Sequence, residues 1–274
     1  MATLKNIFFF ILLLSSLQGF ANADTTLRLH QTKIIQGNFS DFYVDNLGNV
    51  YLITSTNQIK KINSNGDSLA VFNDVKRYGN IFLMDVTNPL KILVYYKDFS
   101  TVIILDRFLN AVNTIDLRQS GILQAKAIAL SYDGNIWVFD ELNGKLKKVD
   151  ENGNILLESS DFRLLFSDPF NPTKIIDNSG QLYLYDEKKG WLLFDYYGAF
   201  KKQFPFTNWK DVQVKDNRLQ GRDSINLYYF TPVLLELTKA ALNKSLSTVI
   251  KLQQQMNNLY ALTSEGVYIY SIQQ

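Results

Sequence analysis

The chain has 274 residues, 46% of them apolar, and 28 basic against 26 acidic side chains give it a formal net charge of +2. Its length allows one or two globular domains, and the absence of cysteine excludes disulfides, thiolate metal sites and a Cys nucleophile. A single histidine, His30, argues against histidine-based zinc sites and Ser-His-Asp catalysis, and the lack of a basic block leaves no nucleic-acid footprint.

The first predicted element is a signal peptide. Lys5 supplies a short positive start, Ile7–Leu14 is an unbroken apolar run, and Ala21-Asn22-Ala23 fits a cleavage site. Cleavage after Ala23 leaves residues 24–274 as an exported chain, periplasmic or extracellular. The run falls short of the roughly 20 apolar residues that a membrane span needs. No later segment reads as transmembrane.

A phrase then recurs along the chain. Val44–Leu52 returns as Ser131–Val138, again as Ile176–Leu184, and in eroded form as Gln255–Tyr260. Each copy is a turn of Asp, Asn and Gly running into a strand of alternating aromatic and aliphatic residues. The period of two marks strands with two distinct faces, and the turn residues supply local hydrogen bonds and positive φ. The closing residue falls at Tyr51, near Val94, at Trp137 and Tyr183, near Gln220 and at Tyr260, a spacing of roughly 42. A strand repeat of this length predicts an all-β, six-bladed β-propeller forming one domain over residues 24–274.

The strands are legible in most units. The first reads as Phe39–Val44, Val50–Thr54, Gln58–Ile62 and Ser68–Phe72, and the second keeps Ile92–Tyr96 and Thr101–Leu105. The third has Ala127–Leu130, Ile136–Phe139, Lys145–Val149 and Ile155–Leu157. The fifth reads as Trp209–Val214, Arg218–Gly221, Ile225–Phe230 and Val233–Leu237, followed by a polar connector of helical propensity, Thr238–Ser247. The sixth supplies only Thr248–Leu252, Leu259–Thr263 and Val267–Ile272. Its missing outer strand is expected from Thr26–Ile35, which would close the ring and remove two exposed sheet edges.

These turns and strands resemble NHL-repeat and related six-bladed propellers. The resemblance is carried by Val44–Ile53 with Ile59–Ile62, by Leu130–Phe139 with Leu146–Val149, and by Ile176–Tyr185 with Gln in place of Asn. The second, fifth and sixth units follow by spacing. Such repeats serve in binding modules, lactonase-type hydrolases and lyases, so the resemblance implies a fold and leaves the function open.

Three groups of residues stand out. Asp45, Asp133 and Asp177 could be taken for a ring of metal ligands, but each is expected to cap its own hairpin. The loop after the second strand carries an acid in five units: Asp98, Asp140 with Glu141, Asp186 with Glu187, Asp223, and Glu265. These would form a ragged acidic ring around one channel mouth, attractive to a cation and diluted by Lys97, Lys188, Lys189 and Arg222; the plainer alternative is solvation of hairpins. The insertion Glu158–Pro172 places Phe162, Phe166 and Phe170 at spacing four, ended by Pro169 and Pro172. They would form an apolar rim for a peptide or glycan, or plug the groove between two blades.

The expected function is a monomeric, extracytoplasmic, non-enzymatic binding or scaffold propeller recognising a protein, peptide or glycan on one face. No catalytic residue, cofactor or metal is assigned. The alternative is a metal-dependent lactonase-type hydrolase. It would need about three or four carboxylate or amide side chains around one divalent ion, and the inner strands offer Asp41, Asp85 and Asp211.

Overall fold

The period-two strands pair into antiparallel meanders. In a computed structural model, which describes residues 25–273, they form six blades around a central channel, five of four strands and one extended by a fifth. The predicted signal peptide lies outside the described residues. Among the described residues, no helix is long and apolar enough to cross a membrane.

Two strands, β1 (Thr25–Thr26) and β2 (Arg28–Gln36), precede the first blade. Blade one comprises β3 (Phe39–Val44), β4 (Val50–Thr54), β5 (Ile59–Ile62) and β6 (Ser68–Phe72). After the helical turn α1 (Val75–Tyr78), blade two follows as β7 (Leu83–Asp85), β8 (Ile92–Tyr96), β9 (Thr101–Leu105) and β10 (Ala111–Asp116). Blade three is β11 (Ala125–Leu130), β12 (Ile136–Asp140), β13 (Lys145–Val149) and β14 (Ile155–Glu158). The turn α2 (Phe162–Leu165) leads to blade four, β15 (Lys174–Asn178), β16 (Gln181–Asp186), β17 (Gly190–Asp195) and β18 (Phe200–Phe204). Blade five is β19 (Lys210–Lys215), β20 (Arg218–Arg222), β21 (Asn226–Thr231) and β22 (Glu236–Ala241). Blade six has β23 (Lys251–Gln255), β24 (Asn258–Leu262) and β25 (Gly266–Gln273) from its own stretch of chain.

The ring closes as the missing outer strand requires. β2 pairs antiparallel with β25, from Arg28 opposite Gln273 to Gln36 opposite Gly266. Gly266 is needed there: it has φ +145°, and a Cβ would lie 2.1 Å from the Ile35 carbonyl oxygen. β1 pairs parallel with β22, Thr25 opposite Ala240 and Thr26 opposite Ala241. One short segment is therefore shared by two blades.

Blades five and six depart from the expected strands. The outer strand of blade five is β22, paired with β21 from Asn226–Ala241 to Thr231–Glu236, and Val233–Leu235 belongs to the turn before it. The helical propensity of Thr238–Ala241 yields to a complete ladder, as propensity does when tertiary pairing competes. Only Lys244–Leu246 of that connector is helical, as a single 3-10 turn. The inner strand of blade six begins at Lys251 rather than Thr248.

The core lies between blades. Phe42, Val44 and Leu52 of blade one pack with Tyr260, Leu262 and Val267 of blade six. Tyr183 and Trp191 of blade four pack with Leu219 and Phe230 of blade five, with Trp209 of the connector alongside. Large flat rings suit the wedge between two diverging sheets. Cross-strand from the buried Tyr51 and Trp137 stand Lys61 and Lys148, whose ammonium groups lie 5.1 and 4.9 Å from the ring centroids. Lys61 also donates to the Arg107 carbonyl, and Lys148 pairs with Asp133. The basic residue of the repeat is therefore part of the packing.

The turn acids behave as caps, with one correction. Asp45 accepts from the Leu47 and Asn49 N–H groups at 2.9 Å each, from the Asn49 side chain and from the Tyr51 hydroxyl. Asp133 accepts from the Asn135 N–H. Asp177 instead reaches into blade three, accepting from Trp137 Nε1 at 3.2 Å, from the Tyr132 N–H and from Ser131 Oγ, as well as from Tyr196 Oη at 2.9 Å. In blade four the turn is three residues tighter, with only Ser179 and Gly180 between the paired Asn178 and Gln181, so Asp177 remains inside the inner strand and faces the neighbouring blade.

Candidate functional site: the central channel

Each inner strand starts at the face that receives the connector from the preceding blade and ends in a tight turn at the opposite face. The loops between second and third strands open on the connector face as well. A cavity of about 690 Å³ runs between the inner strands. Tyr43, Val86, Ile176, Val212 and Val214 give it apolar walls, with Trp209 near the connector-face mouth. Trp209 is held between Phe206 and Tyr228, stacked on both at 5.1 and 5.3 Å, and its backbone N–H donates to Tyr185 Oη at 2.6 Å.

The first residues of β15, β19 and β23 are Lys174, Lys210 and Lys251, and all three line the cavity. Strand direction places them together around the connector-face mouth. Lys251 Nζ donates to Asp41 Oδ1 and the Phe42 carbonyl, each at 2.7 Å, and lies 3.7 Å from the Tyr43 ring centroid. Desolvation by the channel walls pulls this ammonium below the usual lysine range; Asp41 opposes the shift, and the like charge of Lys174 adds to it. Burial, followed by the Asp41 charge, pushes the Tyr43 hydroxyl well above the ordinary tyrosine range.

The inner-strand acids do not converge. Asp41 holds Lys251, while Asp85 accepts from the Leu130 N–H at 2.8 Å and from Thr87. Asp211 accepts from Arg222 Nε at 2.5 Å and the Leu252 N–H at 2.8 Å. Among the described residues no group of three or more His, Asp or Glu is placed to hold a metal ion. Asp41, Asp85 and Asp211, each held by different partners, thus do not come together as the carboxylates of a lactonase-type centre.

The acidic loops share the connector face, but mostly serve local contacts. Asp140 is fully buried against Lys147 at 2.9 Å and binds the Asn143 side chain. Burial alone would raise the Glu141 carboxyl, yet bonds from Asn171 and Lys126 prevail and hold it below its usual range. Asp186 accepts from the Asn171 N–H at 2.8 Å. Asp223 takes the Tyr228 hydroxyl at 2.6 Å and two backbone N–H groups, and Glu265 takes the Tyr268 hydroxyl at 2.5 Å. Asp98 and Glu187 are exposed, and Glu187 alone of the whole series lines the channel.

The Phe-rich insertion folds inward. Asp161 caps α2 by accepting from the Arg163 N–H, and the chain is already extended at Phe166, ahead of Pro169. Phe162 is fully buried, stacked on Phe194 at 5.4 Å, and Phe170 is 6% exposed. Both belong to the cluster between blades three and four. Phe166 and Phe170 also border a surface depression of about 400 Å³ with Leu165, Asp168, Lys189 and Gln203, separate from the channel.

Sequence reading passed over the three channel lysines. Aligning the units on the inner strand would have exposed them, since each occupies the first residue of its strand. It also passed over Gln213 and Gln253, whose amides join neighbouring inner strands; no local motif marks such a role.

No protein-family model and no curated protein sequence matches the chain. Solved structures do. Virginiamycin B lyase from Staphylococcus aureus, in a catalytically inactive histidine-to-alanine variant with quinupristin, superimposes with TM-score 0.62 at 11% identity, covering 90% of this chain and 99% of the lyase. The Neurospora crassa Pan2 WD40 domain gives 0.60 at 10% identity, covering 91% and 98%. The extracellular domain of a putative hybrid two component system from B. thetaiotaomicron gives 0.57 at 13% identity, covering 85% of this chain and 33% of that one. At these identities the likeness shows the propeller fold and nothing about activity.

Proposed function

We propose that this protein is an extracytoplasmic binding or scaffold propeller, without chemistry of its own, which recognises a protein, peptide or glycan through its connector face. The observation that carries this reading is the channel of about 690 Å³, apolar in its walls and polar at its mouth, the usual make-up of a ligand site. The inner-strand acids support it, since each is spent on a separate structural contact. The single histidine does too: His30 lies exposed on β2, the outer strand of blade six, remote from the channel. The predicted signal peptide supports export, and an extracellular domain shares the fold.

A photo-crosslinking residue at Lys210 or Glu187 should trap a partner that the same residue at Asn46 or Leu47, on the opposite face, does not. Equal labelling from both faces, or none from the connector face, rejects the reading. Hydrolysis of a lactone that depends on added divalent metal would bring back the enzymatic alternative. N-terminal sequencing of the secreted chain should begin at Asp24; recovery of Met1 in the cytoplasm would remove the export component.

A further inference from the structure

The charges at the connector-face mouth are unequal in their commitments. Asp41 is engaged by Lys251, Asp211 by Arg222, and Glu141 by Lys126. Among the described residues, Lys174 and Lys210 have no carboxylate within ion-pairing distance. Glu187, exposed at the rim, is the one acid lining this mouth that engages no cation. Deeper acids, Asp85 and Asp177, accept bonds from the backbone and side chains of blade three. Two uncommitted ammonium groups beside a third, partly desolvated one repel each other across a walled cavity, where fields are focused. An anion placed among them relieves that repulsion. Below them the walls turn apolar at Tyr43, Ile176, Val212 and Val214.

We propose that the channel binds an organic anion: its carboxylate or equivalent acid group sits between Lys174 and Lys210, and its apolar body lies down the channel. The inference rests on the channel being a binding site and adds the chemical class of what it holds. A peptide C-terminus and a small apolar acid share this chemistry.

The test uses the full chain and 8-anilinonaphthalene-1-sulfonate, an apolar body with one anionic group, read by its fluorescence and by that of Trp209. One equivalent should bind, and about tenfold tighter than the neutral N-phenyl-1-naphthylamine, as expected for a charge-assisted contact. The double substitution Lys174→Gln, Lys210→Gln should abolish that preference, as should raised salt. Neither lysine is paired and Lys210 is exposed, so the fold should survive; an unchanged thermal midpoint checks this, and the charge reversal Lys210→Glu alone should also weaken binding. Decanoate and acetyl-Leu-Phe with a free C-terminus then serve as competitors. Displacement by either supports the proposal and identifies the source of the acid. Failure of both to displace the probe overturns it, as does equal affinity for the neutral probe or binding indifferent to the lysines. Such a result leaves crosslinking from the connector face unaffected, so the two readings fail separately.

Discussion

The side-chain amide of Gln253 pairs with the backbone of Val44 as a strand would: Oε1 accepts from the Val44 N–H at 3.0 Å and Nε2 donates to the Val44 carbonyl at 2.9 Å. It joins the inner strands of blades six and one, where the ring begins and ends. Gln213 repeats the arrangement one blade back on Gln254, at 2.9 and 3.3 Å. Inner strands of adjacent blades stand too far apart for direct pairing, and a long amide spans the gap with both a donor and an acceptor.

Replacing Gln253 by Leu should leave the Val44 N–H and carbonyl without these partners and cost about 2 kcal/mol. Gln253→Glu keeps the acceptor but sets a carboxylate oxygen against the Val44 carbonyl, and should cost at least as much as the Leu change. Urea denaturation of the three proteins checks the order. Equal midpoints for wild type and Gln253→Leu would show that the amide pair contributes nothing.

Deleting residues 24–35 should destabilise the whole protein rather than release a dispensable arm, because β25 loses its partner and an edge opens. Gly266→Ala attacks the same pairing with one methyl group, since the Ile35 carbonyl occupies the space. Both should lower the thermal midpoint of the single transition. A truncated chain melting like the intact one would contradict closure by β2.

Asp140 should be a stability residue. With Lys147 5% exposed and Asp140 not at all, Asp140→Ala strands a buried ammonium and should cost about 3–5 kcal/mol. Lys147→Met in the same chain should recover much of the loss. Glu158, 3.5 Å from the same ammonium, moderates the effect. A double variant no more stable than Asp140→Ala would rule this account out.

Stability should fall on both sides of neutrality. Burial pushes the Tyr95 and Tyr185 hydroxyls up to about 12, so the folded state keeps their protons longer than the unfolded chain does. Their contribution is complete below the unfolded value of about 10 and is lost as pH rises through about 12. The hairpin carboxylates Asp106 and Asp150 are held below their usual range, first by the side chains of Asn110 and Asn154 respectively. Their contribution is present above the unfolded carboxylate range and disappears as pH falls through the folded values. Urea midpoints measured from pH 3 to 12 should trace a plateau with two falling limbs; a rise above pH 10 would contradict the tyrosine assignment.

What the sequence revealed follows the range of the forces involved. The turns at Asp45, Asp106 and Asp150 are local chemistry over four residues, so the hairpins and the sixfold repeat were readable, even in blade two where the glycines are gone. Thr238–Ala241 misled because its intrinsic preference opposes the ladder it joins. β23 starts at Lys251 rather than Thr248, a boundary that the local pattern does not mark, and so the lysine at its first position stays hidden in the sequence. The partners of the acidic loops are tertiary and lie beyond any local pattern: nothing in the spacing of Glu141 announces Asn171 and Lys126.

The segment that closes the ring has a consequence for the order of synthesis. Among the described strands, β2 is made early and its partner β25 after all the others. A growing chain can assemble blades one to five as local meanders while β2 waits unpaired, and β1 remains idle until β22 exists. Closure is then a single late event that depends on contacts spanning nearly all the described residues, the kind that sets the pace of folding. Until that event β2 and β25 both stand open, and whatever keeps those two edges from other chains is part of how the propeller matures.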